Sequence, residues 1–154
     1  MKKISLIEYQ KKRKFDKTPE PTGNEKVKTK NEKPIFVIHD HYAQQHHHDL
    51  RLEMDGVLKS WAVPKLTPKK GEKHLAVHVE DHPLEYADFK GKIPKGEYGA
   101  GEVKIFDKGT YNVVHKTKNS IEVNFKGKKI KGVYALIQFK NEPKNWLFFK
   151  TNKK

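Results

Sequence analysis

The pattern of apolar and polar positions changes character at Pro34. Before it, Leu6, Ile7 and Tyr9 form one short apolar stripe opened by Ser5-Leu6-Ile7-Glu8, a capping box that predicts a short amphipathic helix. Thr18-Pro19-Glu20-Pro21-Thr22-Gly23 ends that helix, and Arg13 is expected in its last turn. Residues 23–33 carry one apolar side chain, too little surface to fold on its own, and read as a linker. After Pro34, short β-branched and aromatic runs alternate with Gly, Asn, Asp and Pro, the signature of an all-β barrel or sandwich. Strands are predicted at 35–38, 47–54, 57–63, 74–80, 102–107, 111–115, 120–126, 129–139 and 145–150. Asp55-Gly56 predicts a tight hairpin, because both central positions of a type I′ turn need positive φ. Asn119-Ser120 and Lys126-Gly127-Lys128-Lys129 are weaker turn signals. The expected architecture is mainly β: one compact β-barrel of about eight strands with a short N-terminal helix. Within this single domain, residues 1–22 form a helical segment, 23–33 the linker and 34–154 the barrel.

Two of the predicted strands carry more than core. Strand alternation puts Leu50, Leu52 and Met54 on one face and His47, Asp49, Arg51 and Glu53 on the other, successive members about 7 Å apart. His41, on the approach to this strand, can fold back to complete a two-histidine, one-carboxylate set for a divalent metal. His46 and His48 are even-numbered, point away from that row, and are assigned packing roles. In 74–82, Leu75, Val77 and Val79 are expected to form the apolar face, opposite His74, Ala76, His78, Glu80 and His82. If the two strands are neighbours, Glu80 and His82 approach the metal row, with His82 at the mouth of the site. Lys65, after Trp61-Ala62-Val63-Pro64, sits at another strand end.

Composition narrows the choice of partner. The 154 residues carry a formal net charge of +14, which favours a polyanion such as nucleic acid. Of the 33 cationic side chains only Arg13 and Arg51 are arginine, the residue whose planar fork matches phosphate oxygens. The absence of cysteine excludes disulfides, thiolate zinc sites and a cysteine nucleophile. No apolar run approaches the roughly 18 residues of a membrane span, and charge interrupts the opening residues before a signal peptide could form. The expectation is a cytoplasmic monomer with no membrane contact. The glycine-rich stretch from Ile93 to Gly101 lacks both the dinucleotide and the Walker pattern and reads as a structural turn. His47-x-Asp49 also matches two facial ligands of iron(II) oxygenases, but the distal histidine and the cation beyond it are not evident. A non-catalytic alternative is a basic barrel that binds single strands through Trp61, Tyr98 and Tyr111. That reading accounts for the charge and leaves the histidine rows without a purpose.

Four blocks in order carry a resemblance. They are His41-x5-His47-x-Asp49-x-Arg51-Leu52-Glu53-x-Asp55-Gly56, then Leu58-Lys59-Ser60-Trp61-Ala62-Val63-Pro64-Lys65, then Leu75-Ala76-Val77-His78-Val79-Glu80-Asp81-His82-Pro83-Leu84-x-Tyr86, then Ile93-Pro94-x-Gly96-x-Tyr98-Gly99-Ala100-Gly101. Together with Tyr9-x3-Arg13-x-Phe15-x2-Thr18-Pro19-Glu20-Pro21, they resemble the phosphoesterase domain of the bacterial DNA ligase D family and its stand-alone relatives, from about Leu6 to Lys150. The resemblance implies a manganese-dependent enzyme on a small β-barrel that heals 3′ ends of DNA or mixed DNA–RNA primers. Such enzymes remove a 3′-terminal ribonucleoside and then the remaining 3′-phosphate, leaving a 3′-hydroxyl for a polymerase or ligase, here acting in trans. It implies metal ligands at His41, His47 and Asp49, phosphate contacts at Arg13, Arg51, Lys65 and His82, and further site positions at Glu80 and Tyr86. Two positions depart from the family pattern. Lys14 stands where an aspartate is usual, with Asp16 as a candidate substitute. His39 stands where glutamine is common, able either to add a ligand or to replace a hydrogen bond.

Overall fold

The computed structural model describes residues 6–23, 33–66, 68–69 and 71–153. Ser5 of the capping box and most of the predicted linker lie outside the described residues. Among the described residues the chain forms a helix α1 (Ile7–Lys11) and nine strands: β1 (Ile35–Tyr42), β2 (His46–Met54), β3 (Val57–Val63), β4 (His74–His82), β5 (Gly91–Ile93), β6 (Gly101–Lys116), β7 (Ser120–Lys126), β8 (Lys131–Gln138) and β9 (Asn145–Lys150). The antiparallel order is β1-β2-β3-β4-β9-β8-β7-β6-β5, and a β1–β6 pairing closes it. The result is an eight-stranded barrel, with β5 an appendage on the edge of β6. No helix among the described residues is long and apolar enough to cross a membrane.

The barrel interior is filled rather than hollow. Phe36, Ile38, Leu50, Leu52, Trp61, Val63, Phe125, Leu136 and Phe148 belong to one buried cluster, each large side chain contributing roughly 1.5–3 kcal/mol by leaving water. A second cluster lies outside the wall, where Val37, Leu58 and Val103 meet Tyr9, Tyr86, Phe89 and Ile93. Its cover comes from α1 and from a 3₁₀ turn at Leu84–Asp88. Alternate residues of β1–β3 therefore serve two separate apolar layers.

Four expectations need correction. The helix stops at Lys11, so Arg13 follows it rather than closing it. Four consecutive cations repel one another there, and the chain turns where Lys17 and Thr18 N–H groups meet the Lys14 carbonyl, while the Arg13 side chain reaches buried carboxylates. The predicted strands 102–107 and 111–115 are one strand, β6. The break expected at 108–110 does not occur, and Asp107 and Gly109 each have a structural role within the continuous strand. A Cβ at Gly109 would stand 2.4 Å from the Lys126 carbonyl oxygen, so only glycine admits that approach. The predicted faces of β4 also fail. Leu75 is exposed, whereas Ala76 joins the interior and His78 stacks on Trp61. A bulge explains this: Ser60 pairs with Val79 but Leu58 with His82, so an extra β4 residue resets the alternation. Finally, Trp61 and Tyr111 are only 2% and 1% exposed, which removes two of the three bases' stacking platforms in the non-catalytic reading.

Asp107 holds a turn together from a distance. Its carboxylate accepts backbone N–H bonds from Lys108, Lys128, Lys129 and Ile130. Burial opposes ionisation, but these donors outweigh it and hold the carboxyl below its usual range. Asp107→Ala is expected to destabilise the fold by about 2–3 kcal/mol, since buried N–H donors lose their acceptor. Because the folded-state value is lowered, this contribution is present above the ordinary aspartate range and lost as pH falls through the folded value. Urea titration of both proteins between pH 3 and pH 7 checks this; a difference that does not shrink in acid assigns the effect to packing instead.

Candidate active site

The site lies on the outer wall of the barrel, in a pocket of about 310 Å³ lined by residues that include Arg13, His41, His47, Asp49, Arg51, Glu80, His82 and Tyr86. The β1–β2 register pairs His41 with His47 and His39 with Asp49, so the hairpin itself assembles the histidines beside the carboxylate. His41 Nδ1 lies 3.3 Å from Asp49 Oδ2, and His47 Nε2 lies 3.1 Å from Asp49 Oδ1. The other ring nitrogens are committed outward: His41 Nε2 donates to the Gly99 carbonyl at 2.7 Å and His47 Nδ1 to the Gln45 carbonyl at 3.1 Å. Each imidazole so turns its lone pair toward the carboxylate, the outer-layer pattern that orients metal-binding histidines. Three electron-pair donors facing one another repel unless a cation stands among them, either a metal ion or a proton carried by an imidazole that then hydrogen-bonds to the carboxylate. One ligand atom from each of the three residues lies within 4.8 Å of the others, and the donor set fits a divalent ion. Burial opposes ionisation of Asp49, but Arg51 and the two imidazoles outweigh it and hold the carboxyl well below its usual range. The hydrogen bond to Asp49 raises His47.

Two buried guanidiniums flank this triad, each held by its own partners. Arg51 Nε donates to His39 Nδ1 at 3.1 Å and its Nη2 lies 3.4 Å from Asp49 Oδ2. Its Nη1 is buried without a hydrogen-bond partner among the described residues. Beneath it the Tyr86 ring lies 4.8 Å from the guanidinium carbon, and Tyr86 donates its hydroxyl to Glu20 at 2.5 Å. Arg13 donates to Glu20 at 2.8 Å, to the Tyr9 carbonyl at 3.0 Å and to Glu80 at 3.2 Å. Its Nη2 faces His82 Nε2 at 3.4 Å. His82 Nδ1 lies 3.0 Å from the Glu80 carbonyl and 3.4 Å from the Ser60 hydroxyl. Burial first, then Arg51 and Arg13, push the His82 imidazole well below its usual value, so it is neutral here.

His39 settles one of the two departures. It is fully buried, its Nε2 meets the Phe89 carbonyl at 2.9 Å, and its Nδ1 accepts from Arg51. Burial and the Arg51 charge push it down to about 3. It is therefore a neutral hydrogen-bonding support for Arg51, outside the His41, His47 and Asp49 cluster. Asp16 is exposed, and the carboxylates holding Arg13 are Glu20 and Glu80.

The structure brings His41, His47, Asp49, Arg13, Arg51, His82, Glu80 and Tyr86 together. It does not bring Lys65, which follows β3 as an exposed residue and does not line the pocket. Sequence reasoning missed Glu20, which orders both Arg13 and Tyr86, and it missed the part played by the Ile93–Gly101 turn. That turn is structural as expected, yet Gly99, at φ 76°, presents its carbonyl to His41, and Tyr98 lines the pocket. The Thr18-Pro19-Glu20-Pro21 block held the available signal, since a glutamate fixed between two prolines is poorly suited to a solvated tail.

A metal-competent triad beside two guanidiniums, in a pocket on the wall of a basic β-barrel, suits a hydrolase acting on phosphoesters. Comparison with known proteins names the group: the chain belongs to the DNA ligase D 3′-phosphoesterase domain family, whose model matches residues 39–138. It is 49% identical over 147 residues to the multifunctional non-homologous end joining DNA repair protein LigD of Mycobacterium tuberculosis, covering 92% of this chain and 19% of that protein. Against the multifunctional non-homologous end joining protein LigD of Pseudomonas aeruginosa, identity is 41% over 155 residues, covering 94% of this chain and 18% of that protein. The chain thus spans about a fifth of the length of the curated relatives it matches.

Proposed function

We propose that this chain is a manganese-dependent phosphoesterase that heals 3′ ends of DNA or mixed DNA–RNA primers. It removes a terminal ribonucleoside, then the 3′-phosphate, and leaves a 3′-hydroxyl. The observation that carries this reading is the convergence of His41, His47 and Asp49 with two buried arginines on one pocket. A divalent ion held by those three residues would supply Lewis-acid stabilisation of the charge that develops on the phosphoryl group and activate water. Arg51 offers its unpartnered Nη1, and Arg13 its Nη2, to the non-bridging oxygens. His82 stands beside Arg13 with Nε2 facing inward, placed to stabilise or protonate the leaving oxygen once bound phosphate offsets the two cations. Glu80 and Tyr86 position the arginines, and Lys65, exposed outside the pocket, is assigned a contact to the nucleic-acid backbone. On this reading residues 1–22 belong to the active site, since they supply Arg13 and Glu20, and 34–154 form the catalytic barrel. The relatives' names place them in non-homologous end joining, so a ligase and a polymerase are the proposed consumers of the healed end. The lysine-rich surface holds the nucleic-acid backbone with little base preference and with marked salt dependence.

The test uses two labelled primers, one ending in a single ribonucleotide and one in a 3′-phosphate, across a panel of divalent ions. Both are expected to be processed with manganese, and chelation should stop processing while leaving DNA binding in place. Binding without hydrolysis under every ion would instead favour the non-catalytic module.

A further inference from the structure

The β1–β2 hairpin carries a second cluster on its other face. Asp40 pairs in register with His48, one step from the His41–His47 pair, and His46 follows opposite Tyr42. The sets Asp40, His46, His48 and His41, His47, Asp49 thus interleave along the same two strands, and strand alternation sends them to opposite sides of the sheet. We propose that Asp40, His46 and His48 form a second binding site for a divalent transition-metal ion of the class that favours imidazole, such as zinc. The proposal does not depend on the hydrolytic function.

Three observations support it. First, one ligand atom from each residue lies within 4.8 Å of the other two, the same closeness as in the pocket triad. The Nε2 atoms of both histidines converge on one carboxylate oxygen, His46 in direct contact with Asp40 Oδ1 and His48 at 3.7 Å from it. Donors bound to one tetrahedral ion at roughly 2.0–2.1 Å stand about 3.3 Å apart, so a small outward rotation of His46 makes room for the ion. Second, both rings are oriented by packing: His46 stacks on Tyr42 at 4.4 Å, and His48 sits edge-on to Phe106 at 5.1 Å. His48 Nδ1 has no hydrogen-bond partner among the described residues, so Nε2 is the nitrogen that meets the polar cluster. Tyr42 donates its hydroxyl to the second carboxylate oxygen of Asp40 at 3.0 Å, which holds that carboxylate in place. Third, the cluster is open on one side. The His46 side chain is 48% exposed while Asp40 and His48 are 17% and 16% exposed, leaving room for water as a further ligand. Lys104, the β6 partner of Asp40 in register, lies 3.9 Å from Glu102 and over the Tyr42 ring.

Such a site lies outside the pocket lining, and it ties β1 to β2 just beside the 43–45 turn that separates His41 from His47. The experiment measures zinc bound per chain after chelation, dialysis and titration of the full protein. The unaltered chain is expected to bind two ions, His46→Ala/His48→Ala one, Asp49→Ala one, and the three changes together none. Asp40→Asn should weaken the second ion by at least about tenfold. Should the unaltered chain bind one ion and the His46→Ala/His48→Ala chain none, the new site stands and the pocket triad loses its metal. Equal stoichiometry in the unaltered and His46→Ala/His48→Ala chains overturns the proposal. If the double variant does not fold, ¹⁵N shifts of His46 and His48 on adding zinc to the unaltered chain decide, and unmoved shifts overturn it.

Discussion

Asp49→Ala is expected to abolish processing of a primer with a 3′-phosphate, with a loss of at least about a thousandfold. Removing this carboxylate takes away the anionic member of the triad and leaves two imidazoles and the Arg51 guanidinium without their shared counter-charge. Metal assistance is worth several kcal/mol of charge stabilisation, and each ~1.4 kcal/mol is tenfold in rate. His41→Ala and His47→Ala should approach the same loss, since neither carbonyl-oriented imidazole has a substitute. The fold should survive in all three, because the site stands on the outer wall and the barrel interior is packed by other side chains. Circular dichroism and bound metal, measured on the same preparations, separate a lost ligand from a lost structure. Full activity in any one variant removes that residue from the triad.

Arg51→Lys and Arg13→Lys are expected to lower kcat by at least about tenfold each, roughly 1.4 kcal/mol of transition-state stabilisation. A lysine ammonium keeps the charge but cannot contact His39, Asp49 and phosphate at once, as the Arg51 fork can. At position 13 the loss has a second source. Arg13 is the guanidinium partner of nearly inaccessible Glu20, whereas Glu80 also has Lys12 at 3.2 Å, so a shorter reach at position 13 leaves the Glu20 charge without its cation. If the N-terminal segment were only a basic arm, Arg13→Lys would raise KM in a salt-dependent way and leave kcat intact. An unchanged kcat takes Arg13 off the catalytic list.

Much of this site could be read from the chain because period two governs β2. One apolar register, Leu50 and Leu52, forced His47, Asp49 and Arg51 onto the other side, and the structure agrees residue by residue. The barrel and its Asp55-Gly56 turn were legible for the same local reason, with Asp55 and Gly56 at φ 55° and 80°. β4 was misread because a bulge has no signature in alternation: nothing local says that Val79 and His82 will share a face. A break was expected at 108–110 because what keeps the strand continuous there, the close approach of Gly109 to the Lys126 carbonyl and the Asp107 carboxylate under a remote loop, is set by residues about twenty positions away. Glu20 escaped for a similar reason, since its burial depends on Tyr86 and Arg13 arriving from different parts of the chain.

Placing the chemistry on the outer wall of a filled barrel divides responsibility between two sets of atoms. The far strands, β7 to β9, bear on the interior through Phe125, Tyr134 and Phe148 and contribute nothing to the pocket lining. They are free to drift in sequence, or to be hardened against heat by denser filling, without reaching the reacting phosphate. The near strands have no such freedom. On β2, Leu50 and Leu52 answer to thermal endurance and their neighbours Asp49 and Arg51 to turnover, so a single-residue slip there exchanges the two roles at once.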